Sequence, residues 1–202
     1  KQLAMDGAPE GTVVLSDTQT CGKGRMGRQW DSPSQTGIYL SIVLYPPKPL
    51  EVASYLTLLA GVAAVNALST WCEITLKWPN DLIAQDKKLC GILCEFLPEC
   101  KPMPATVIGI GINVHQTTSE FPKDLRSTAT SLYLETGQHL PRTQIVKSLI
   151  EKLDREYKNF STRGPEYLIK RWSDRSCMFG QVVALSKGNH TVKGLVKNLD
   201  SN

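Results

Sequence analysis

Glycines and cationic residues alternate in one short segment of the chain. Residues 19–30 read QTCGKGRMGRQW, with glycines at positions 22, 24 and 27 and cations at Lys23, Arg25 and Arg28. Glycines at this spacing allow sharp turns that point backbone N–H groups at a bound anion. Arginine suits the geometry of phosphates and carboxylates, and Trp30 offers a face for stacking a flat base. The pattern predicts an anion-binding loop, and a flexible, solvated basic loop is the alternative.

The segment Lys77–Asp81, KWPND, places several polar groups where a predicted strand ends. Ligand groups commonly gather at strand ends. The side-chain oxygens of Asn80 and Asp81 suit Mg²⁺, which usually binds through one or two carboxylates plus substrate phosphates. The segment therefore predicts a place for Mg²⁺ beside substrate phosphates. An ordinary turn after a strand is the alternative.

Lys88 heads a short apolar strand, in the segment KKLCGILCE at residues 87–95. Regular alternation predicts that Lys88 lies on the same face as Cys90, and that Gly91 lies on the opposite face. A lysine at the head of an apolar strand is usually a surface residue of the preceding turn, so by itself it is a weak signal of a site.

Two glycines interrupt the β-branched segment TVIGIGINV at residues 106–114. Gly109 and Gly111 are two residues apart, so they share one face of the predicted strand and leave it without side chains. That face predicts space for a ligand. Close packing against another stretch of backbone is the alternative.

Several common kinds of site are excluded. The loop lacks the GxxxxGKS or GxxxxGKT spacing of a P-loop, and no helix follows it closely enough for a dinucleotide fingerprint. The six cysteines form no CxxC pair and have no partnering histidines, so free buried thiols in a reducing compartment are expected rather than zinc. His115, His139 and His190, the only histidines, lie outside these segments, so no Ser-His-Asp arrangement is expected.

The chemistry-bearing segments lie within predicted strands or at their ends, so the fold must bring these strands together. Hydrophobic periodicity predicts strands at Thr12–Ser16, Ile38–Leu44, Ile74–Trp78, Leu82–Ala84, Leu89–Phe96, Thr106–Val114, Gln181–Leu185 and Thr191–Val196. It predicts helices at Val52–Thr70, Arg142–Phe160 and Pro165–Trp172, and a loop at Ser119–Thr130. Prominent hairpins among few helices favour an α+β fold with a mixed, largely antiparallel sheet flanked by helices. A domain boundary is predicted near Asp174, where the helical pattern gives way to strands.

Composition is that of an ordinary globular chain. Of its 202 residues, 41% are hydrophobic and 21% are charged, which excludes a disordered chain. The net charge of +4 allows an acidic partner without requiring nucleic acid, because the basic residues are interleaved with acidic ones. The longest apolar stretches, such as Leu56–Leu68, are too short to span a membrane, and no secretory signal pattern opens the chain.

The order and spacing of these segments resemble the bacterial type of biotin–protein ligase. That family has a GRGRxGRxW-SP loop, then KWPND, then KL-GIL-E, and then a G-x-G-I-N strand. The matching segments here read QTCGKGRMGRQWDSP, KWPNDLIAQDKKLCGILCE and VIGIGINV, within residues 19–114. The resemblance implies a class II synthetase-like catalytic domain over residues 1–174 and the start of a small SH3-like β-barrel over residues 175–202.

The resemblance also implies roles for individual residues. Lys88 and Arg25 are expected to be catalytic, beside the reacting carboxylate and α-phosphate. Residues expected to bind biotin or its adenylate are Gln19, Gly22, Lys23, Gly24, Arg25, Lys88, Gly91, Gly109 and Gly111. Residues expected at the nucleotide are Asn80, Asn113 and Trp30, the last packing against adenine. Asn80 and Asp81 are the expected ligands of Mg²⁺.

The implied activity is formation of biotinyl-AMP from biotin and ATP, followed by transfer of biotin to a lysine of a biotin carboxyl carrier protein in the cytoplasm. ATP, Mg²⁺ and biotin are the expected small molecules. Neither a membrane nor a nucleic-acid partner is expected, and exposed hairpin edges permit a homodimer. One alternative is a lipoate ligase or octanoyl transferase of the same superfamily. The other is a ligase that also represses transcription through a DNA-binding part outside this chain.

The chain departs from the family pattern within the loop. Lys23 and Met26 stand where arginine is common, and because lysine lacks the bidentate fork we expect a weaker hold on the adenylate. The family's Ser-Thr segment, which precedes the loop and touches biotin, is not in the sequence, and the β-barrel stops partway. We therefore expect that the sequence is truncated.

Overall fold

The fold is built around one antiparallel sheet. The computed structural model describes residues 1–47, 49–187 and 190–199. The strands of the large sheet are β1 (Val13–Ser16), β2 (Gly37–Leu44), β3 (Thr75–Lys77), β4 (Asp81–Ala84), β5 (Lys87–Leu97) and β6 (Ala105–Asn113). They are ordered β1-β2-β6-β5-β4-β3, and every neighbouring pair is antiparallel. The predicted α+β fold with a largely antiparallel sheet is confirmed.

Most of the helices cover one face of this sheet. The helices are α1 (Gln2–Met5), α2 (Pro49–Leu68), α3 (Leu132–Thr136), α4 (Arg142–Arg163) and α5 (Pro165–Ser173). The long apolar helix α2 is buried between the sheet and α4. Ile108, Ile110 and Ile112 of β6 point into the same layer and are almost fully buried. The main hydrophobic core therefore lies between the sheet and its helices.

The opposite face of the sheet carries little side-chain bulk near its middle. Gly91 of β5 is paired with Gly111 of β6, and Gly109 is paired with Leu93. Gly91, Gly109 and Gly111 therefore lie side by side, as the sequence predicts for the last two, and we call them the glycine floor. The short helix α1 covers the far end of this face, where Ala4 joins a second, smaller apolar cluster.

A β-bulge in the β4–β5 hairpin turns Lys88 onto the face of the glycine floor. Leu82 pairs with Cys90, but the next residue of β4, Ile83, pairs with Lys88, so Leu89 is an extra residue in β5. Regular alternation predicts Lys88 on the core face with Cys90. That prediction is wrong, because a bulge reverses the alternation and re-aims the side chain.

The sequence patterns do not predict α1 and α3, since helices this short show no periodicity. The caps of α3 are nevertheless present in the sequence. The Ser131 hydroxyl accepts a hydrogen bond from Leu134 N–H, and Gly137 ends the helix with φ 69°. The predicted loop at Ser119–Thr130 overlaps a single turn of 3₁₀ helix, Thr118–Glu120.

The C-terminal residues form a separate two-stranded sheet of β7 (Val182–Lys187) and β8 (His190–Leu195). Between α5 and this hairpin the chain runs beside β3. Leu76 N–H donates to Arg175 O at 2.8 Å, and Cys177 N–H donates to Leu76 O at 3.1 Å. The division into two domains near Asp174 stays a prediction, and these bonds attach the first residues after Asp174 to the large sheet.

None of the described helices is long and apolar enough to cross a membrane. All six cysteines are free. Cys90 and Cys100 are buried, whereas Cys21 and Cys177 are exposed. The expectation of buried thiols therefore holds for some of the cysteines and not for others. Burial raises the pKa of the Cys90 thiol, which keeps it protonated and unreactive.

Candidate active site

The glycine-rich segment folds into a tight hairpin. Gly24 N–H donates to Arg28 O at 2.7 Å, and the tip is a single turn of 3₁₀ helix at Arg25–Gly27. Met26 and Gly27 have φ angles of 57° and 74°, which produce the sharp turn. The Gly24 N–H closes the hairpin and is therefore not free to bind an anion, and anion binding by this loop stays a prediction.

Trp30 lies on the glycine floor. A Cβ added at Gly111 would stand 2.5 Å from the indole Nε1, and one added at Gly91 would stand 2.8 Å from Cζ3. Only glycine admits the ring at these positions. The indole Nε1–H is buried and has no hydrogen-bond partner among the described residues. The open end of the floor is at Gly109, where an added Cβ would meet only the Leu93 carbonyl oxygen, at 3.6 Å.

Lys88 stands at the edge of the glycine floor. Its Nζ lies 2.7 Å from Asp81 Oδ1 and 5.4 Å from the centroid of the Trp30 ring. Its backbone is fixed from the other side, since Lys88 N–H donates to Thr128 O at 2.8 Å and Thr130 N–H donates to Lys88 O at 3.0 Å. The segment predicted only as a loop therefore holds this lysine in place.

Arg25 connects the hairpin to the KWPND turn. Its Nη1 lies 3.4 Å from Asn80 Oδ1, and Asn80 Nδ2 donates to Ile92 O at 2.8 Å. Asn80 is thereby fixed on β5 while it holds the arginine beside the strand ends. The structure thus brings Arg25, Lys88 and Trp30 around one floor, which is the convergence that the sequence predicts.

The base of the hairpin contains a residue that the sequence reasoning missed. Ser32 Oγ donates to Gln19 Oε1 at 2.8 Å, which orients the glutamine side chain. A Cβ at Gly22 would collide with the Trp30 carbonyl oxygen and the Ser32 hydroxyl, so this glycine is required for packing. Lys23 is exposed beside it. The Asp-Ser-Pro of the family pattern is the sequence feature that points to Ser32.

Tyr39 is a second residue that was missed. It lies opposite Gly111 in β2, and its hydroxyl donates to Pro33 O at 2.8 Å. Burial raises the pKa of Tyr39 to about 12, so the phenol is neutral near neutral pH. It fastens the end of the loop to the sheet. Burial also raises the pKa of Asp31 in the same segment.

Asn113 is buried, and its amide is used within the protein. Its Nδ2 donates to Thr130 O at 2.9 Å, and its Oδ1 accepts from Gln116 Nε2 at 3.3 Å. These bonds hold the end of β6 against the loop that pairs with Lys88. They give Asn113 a structural role, and its contact with a nucleotide stays a prediction.

The residues predicted to bind Mg²⁺ do not form a metal site from protein atoms alone. Asp81 is ion-paired with Lys88, and both polar atoms of the Asn80 amide are hydrogen-bonded. No group of three or more His, Cys, Asp or Glu side chains within the described ranges is placed to hold a metal ion. Magnesium at this site would therefore depend on the phosphates of a nucleotide.

A family model and curated proteins match this chain. The model of the biotin/lipoate A/B protein ligase family matches residues 1–113. The bifunctional ligase/repressor BirA of Bacillus spizizenii is 36% identical over 201 residues, which are 98% of this chain but only 62% of the relative. The biotin–[acetyl-CoA-carboxylase] ligase of Mycobacterium tuberculosis is 32% identical over 199 residues, which are 95% of this chain and 71% of the relative. The chain thus spans less than two thirds of the length of the Bacillus protein.

Solved structures share the fold. The biotin protein ligase of Aquifex aeolicus in complex with biotin and ATP matches with a TM-score of 0.85 and 30% identity, covering 99% of this chain and 83% of that one. The ligase of Leishmania major in complex with biotinyl-5-AMP has a TM-score of 0.62 at 18% identity, a likeness of fold alone. Because the family model matches 113 of 202 residues, and the Mycobacterium protein is 32% identical over most of both chains, the chain belongs to the biotin/lipoate A/B protein ligase family.

Proposed function

We propose that this chain carries the catalytic domain of a biotin–protein ligase, which activates biotin with ATP and transfers it to a lysine of a biotin carboxyl carrier protein. The observation that carries the proposal is the convergence of Lys88 and the Arg25-bearing hairpin beside Trp30 on the glycine floor. The Aquifex ligase that shares the fold is in complex with biotin and ATP, which supports both molecules as substrates.

The first step brings two anions together. A carboxylate oxygen of biotin attacks the α-phosphorus of ATP, the bond to pyrophosphate breaks, and biotinyl-AMP forms. Lys88, Lys23 and Arg25 supply positive charge that offsets the repulsion, and one well-aimed donor contributes about 2.7–4 kcal/mol to such a step. Lys88 is ion-paired with Asp81 in the free protein and would pair with a ligand oxygen once the substrates bind. Its positive charge would thus have a negative partner in both states.

The second step uses the ε-amine of the acceptor lysine. The amine attacks the carbonyl carbon of the mixed anhydride, AMP leaves, and the nitrogen loses a proton. The nucleophile belongs to the partner, so the chain needs no nucleophilic residue of its own. Trp30 and the hairpin supply a cover that limits hydrolysis of the anhydride before transfer.

The open end of the glycine floor at Gly109 is the proposed place for the ring system of biotin. Trp30 covers the neighbouring Gly91 and Gly111, and Gly22 lies against the Trp30 carbonyl oxygen and the side chain of Gln19. The contacts of Gly24, Asn80 and Asn113 with the ligands, and Mg²⁺ at Asn80 and Asp81, stay predictions. The homodimer and the cytoplasmic location stay predictions as well.

A comparison of two lysine variants tests the proposal. Lys88→Ala removes the ammonium group at the floor, so biotin-dependent exchange of pyrophosphate into ATP should fall by about 10²–10³-fold. Lys87→Ala is the matched control, because Lys87 is an exposed neighbour on the same strand. Both variants should keep the thermal midpoint of the parent. Unchanged exchange in Lys88→Ala would contradict the assignment.

A second candidate is ligation of lipoate, which the family description includes. A thermal-shift titration of the protein with biotin and with lipoate, each in the presence of ATP and Mg²⁺, separates the two substrates. Stabilisation by biotin alone supports biotin ligation. Stabilisation by lipoate alone would replace it with the second candidate.

A further inference from the structure

We propose that Met26 and Trp78 form the apolar landing surface on which the acceptor protein docks for the transfer step, an acceptor that presents apolar and acidic side chains around its lysine. The inference rests on the proposed function, because it names how the partner of that site is recognised. It assigns a role to two residues that the adenylation chemistry does not use.

Met26 is the first half of this surface. Its side chain is 87% exposed at the tip of the hairpin, and its φ of 57° is a left-handed conformation that L-residues other than asparagine and aspartate seldom adopt. The family pattern commonly has arginine here. An unbranched, polarizable side chain adapts well to a partner surface, and methionine is enriched at protein interfaces. Met26 thus has the properties of a contact residue and contributes nothing to the core.

Trp78 is the second half. Its side chain is 48% exposed, which is unusual for tryptophan, and its backbone N–H donates to Met178 Sδ at 3.0 Å. The contact between Arg25 and Asn80 holds the hairpin tip beside this turn. The two exposed apolar side chains therefore flank the same end of the site. Tryptophan is among the residues that most often dominate binding energy at interfaces.

The charges around this surface indicate an acidic partner. Arg28 on the hairpin and Lys77 on β3 are exposed, and neither has an ion-pair partner among the described residues. A bound adenylate neutralises cations deeper in the site, which leaves these outer ones for the acceptor. Complementary charge at an interface steers the encounter and fixes its orientation.

The test measures binding of a biotin carboxyl carrier domain whose acceptor lysine is replaced by arginine, so that no turnover occurs. Met26→Asn removes the apolar side chain but keeps the backbone, because asparagine tolerates the left-handed conformation. Trp78→Thr removes the second contact. Met103→Asn is the matched control, since Met103 is a partly exposed methionine between β5 and β6 at the end of the sheet away from the site.

Met26→Asn and Trp78→Thr should each weaken binding of the carrier domain about tenfold or more, whereas Met103→Asn should leave it unchanged. Binding should also weaken as salt rises. Biotin-dependent pyrophosphate exchange should be the same in Met26→Asn as in the parent. Unchanged carrier binding in Met26→Asn, or no carrier binding by the parent, overturns the inference, and so does a fall in exchange that assigns Met26 to the nucleotide. If the parent binds the carrier but catalyses no exchange, the proposed function fails while the docking surface stands.

Discussion

At the residue scale, the glycines of the floor differ in what surrounds them. Gly91 and Gly111 lie directly beneath the Trp30 indole, whereas a Cβ at Gly109 would be in contact only with the Leu93 carbonyl oxygen. The first two therefore have a packing role, whereas the proposed role of the third is to keep room for biotin. One motif, GIGIN, thus contains one glycine that packs against a side chain and one that does not, a distinction that sequence spacing does not reveal.

Alanine substitutions at Gly109 and Gly111 should affect different properties, ligand binding in the first case and stability in the second. Gly111→Ala should displace Trp30 and destabilise the protein by about 1–3 kcal/mol, since overpacking forces neighbours to move. Gly109→Ala should leave the free energy of unfolding nearly unchanged but weaken biotin binding tenfold or more, because the methyl group occupies ligand space. Urea unfolding followed by tryptophan fluorescence and calorimetric titration with biotin measure both quantities. Parent-like biotin affinity in Gly109→Ala would move the ligand away from this end of the floor.

At the element scale, one buried carboxylate joins the helices behind the sheet. Glu156 of α4 is 3% exposed and accepts hydrogen bonds from Asn66 of α2 at 3.3 Å, Tyr167 of α5 at 3.3 Å and Arg171 of α5 at 3.1 Å. A buried charge is tolerated only when its oxygens are satisfied in this way. The cluster sets the relative positions of the helices that back the site.

Glu156→Ala should destabilise the protein by about 2–4 kcal/mol, since it leaves three donors without their acceptor. Asp154→Ala is the matched control on the same helix. Asp154 forms an exposed ion pair with Lys158, so its loss should cost about 0.5 kcal/mol or less. Chemical denaturation of both variants checks the difference. Equal midpoints would mean that the cluster does not hold the helices.

The elements that the sequence predicts well are those with local periodicity. The strands, the three long helices and the β4–β5 hairpin follow from alternation and helical spacing within a few residues. The face of Lys88 does not, because a bulge is a property of two paired strands and shows no local pattern. The contacts of Ser32 with Gln19 and of Tyr39 with Pro33 were missed as well, because each depends on how the loop after β1 folds back on itself or onto β2, which has no periodic pattern in the sequence.

At the scale of the whole molecule, the large sheet and the C-terminal hairpin differ in how much they bury. Val182, Val192 and Leu195 of the hairpin are all more than half exposed. Phe179, which precedes the hairpin in the chain, and Leu199, which follows it, pack against the main core. An isolated two-stranded hairpin is marginally stable in water, so the stability of this hairpin depends on the packing of Phe179 and Leu199. The large sheet is covered by helices on one face and forms the main core with them, so it does not share that dependence.

Amide hydrogen exchange should therefore resolve two levels of stability. The amides of Ile108 and Ile110 in β6 should exchange only through global unfolding, and those of β8 should exchange about 10²-fold faster or more, by local opening. The Cys177 amide, bonded to Leu76 O, should be protected with the large sheet. The change in protection then falls between Cys177 and β7, which places the domain boundary after Asp174 rather than at it. Equal protection of β8 and β6 would instead make the hairpin part of one cooperative unit with the sheet, and the predicted division of the chain would be wrong.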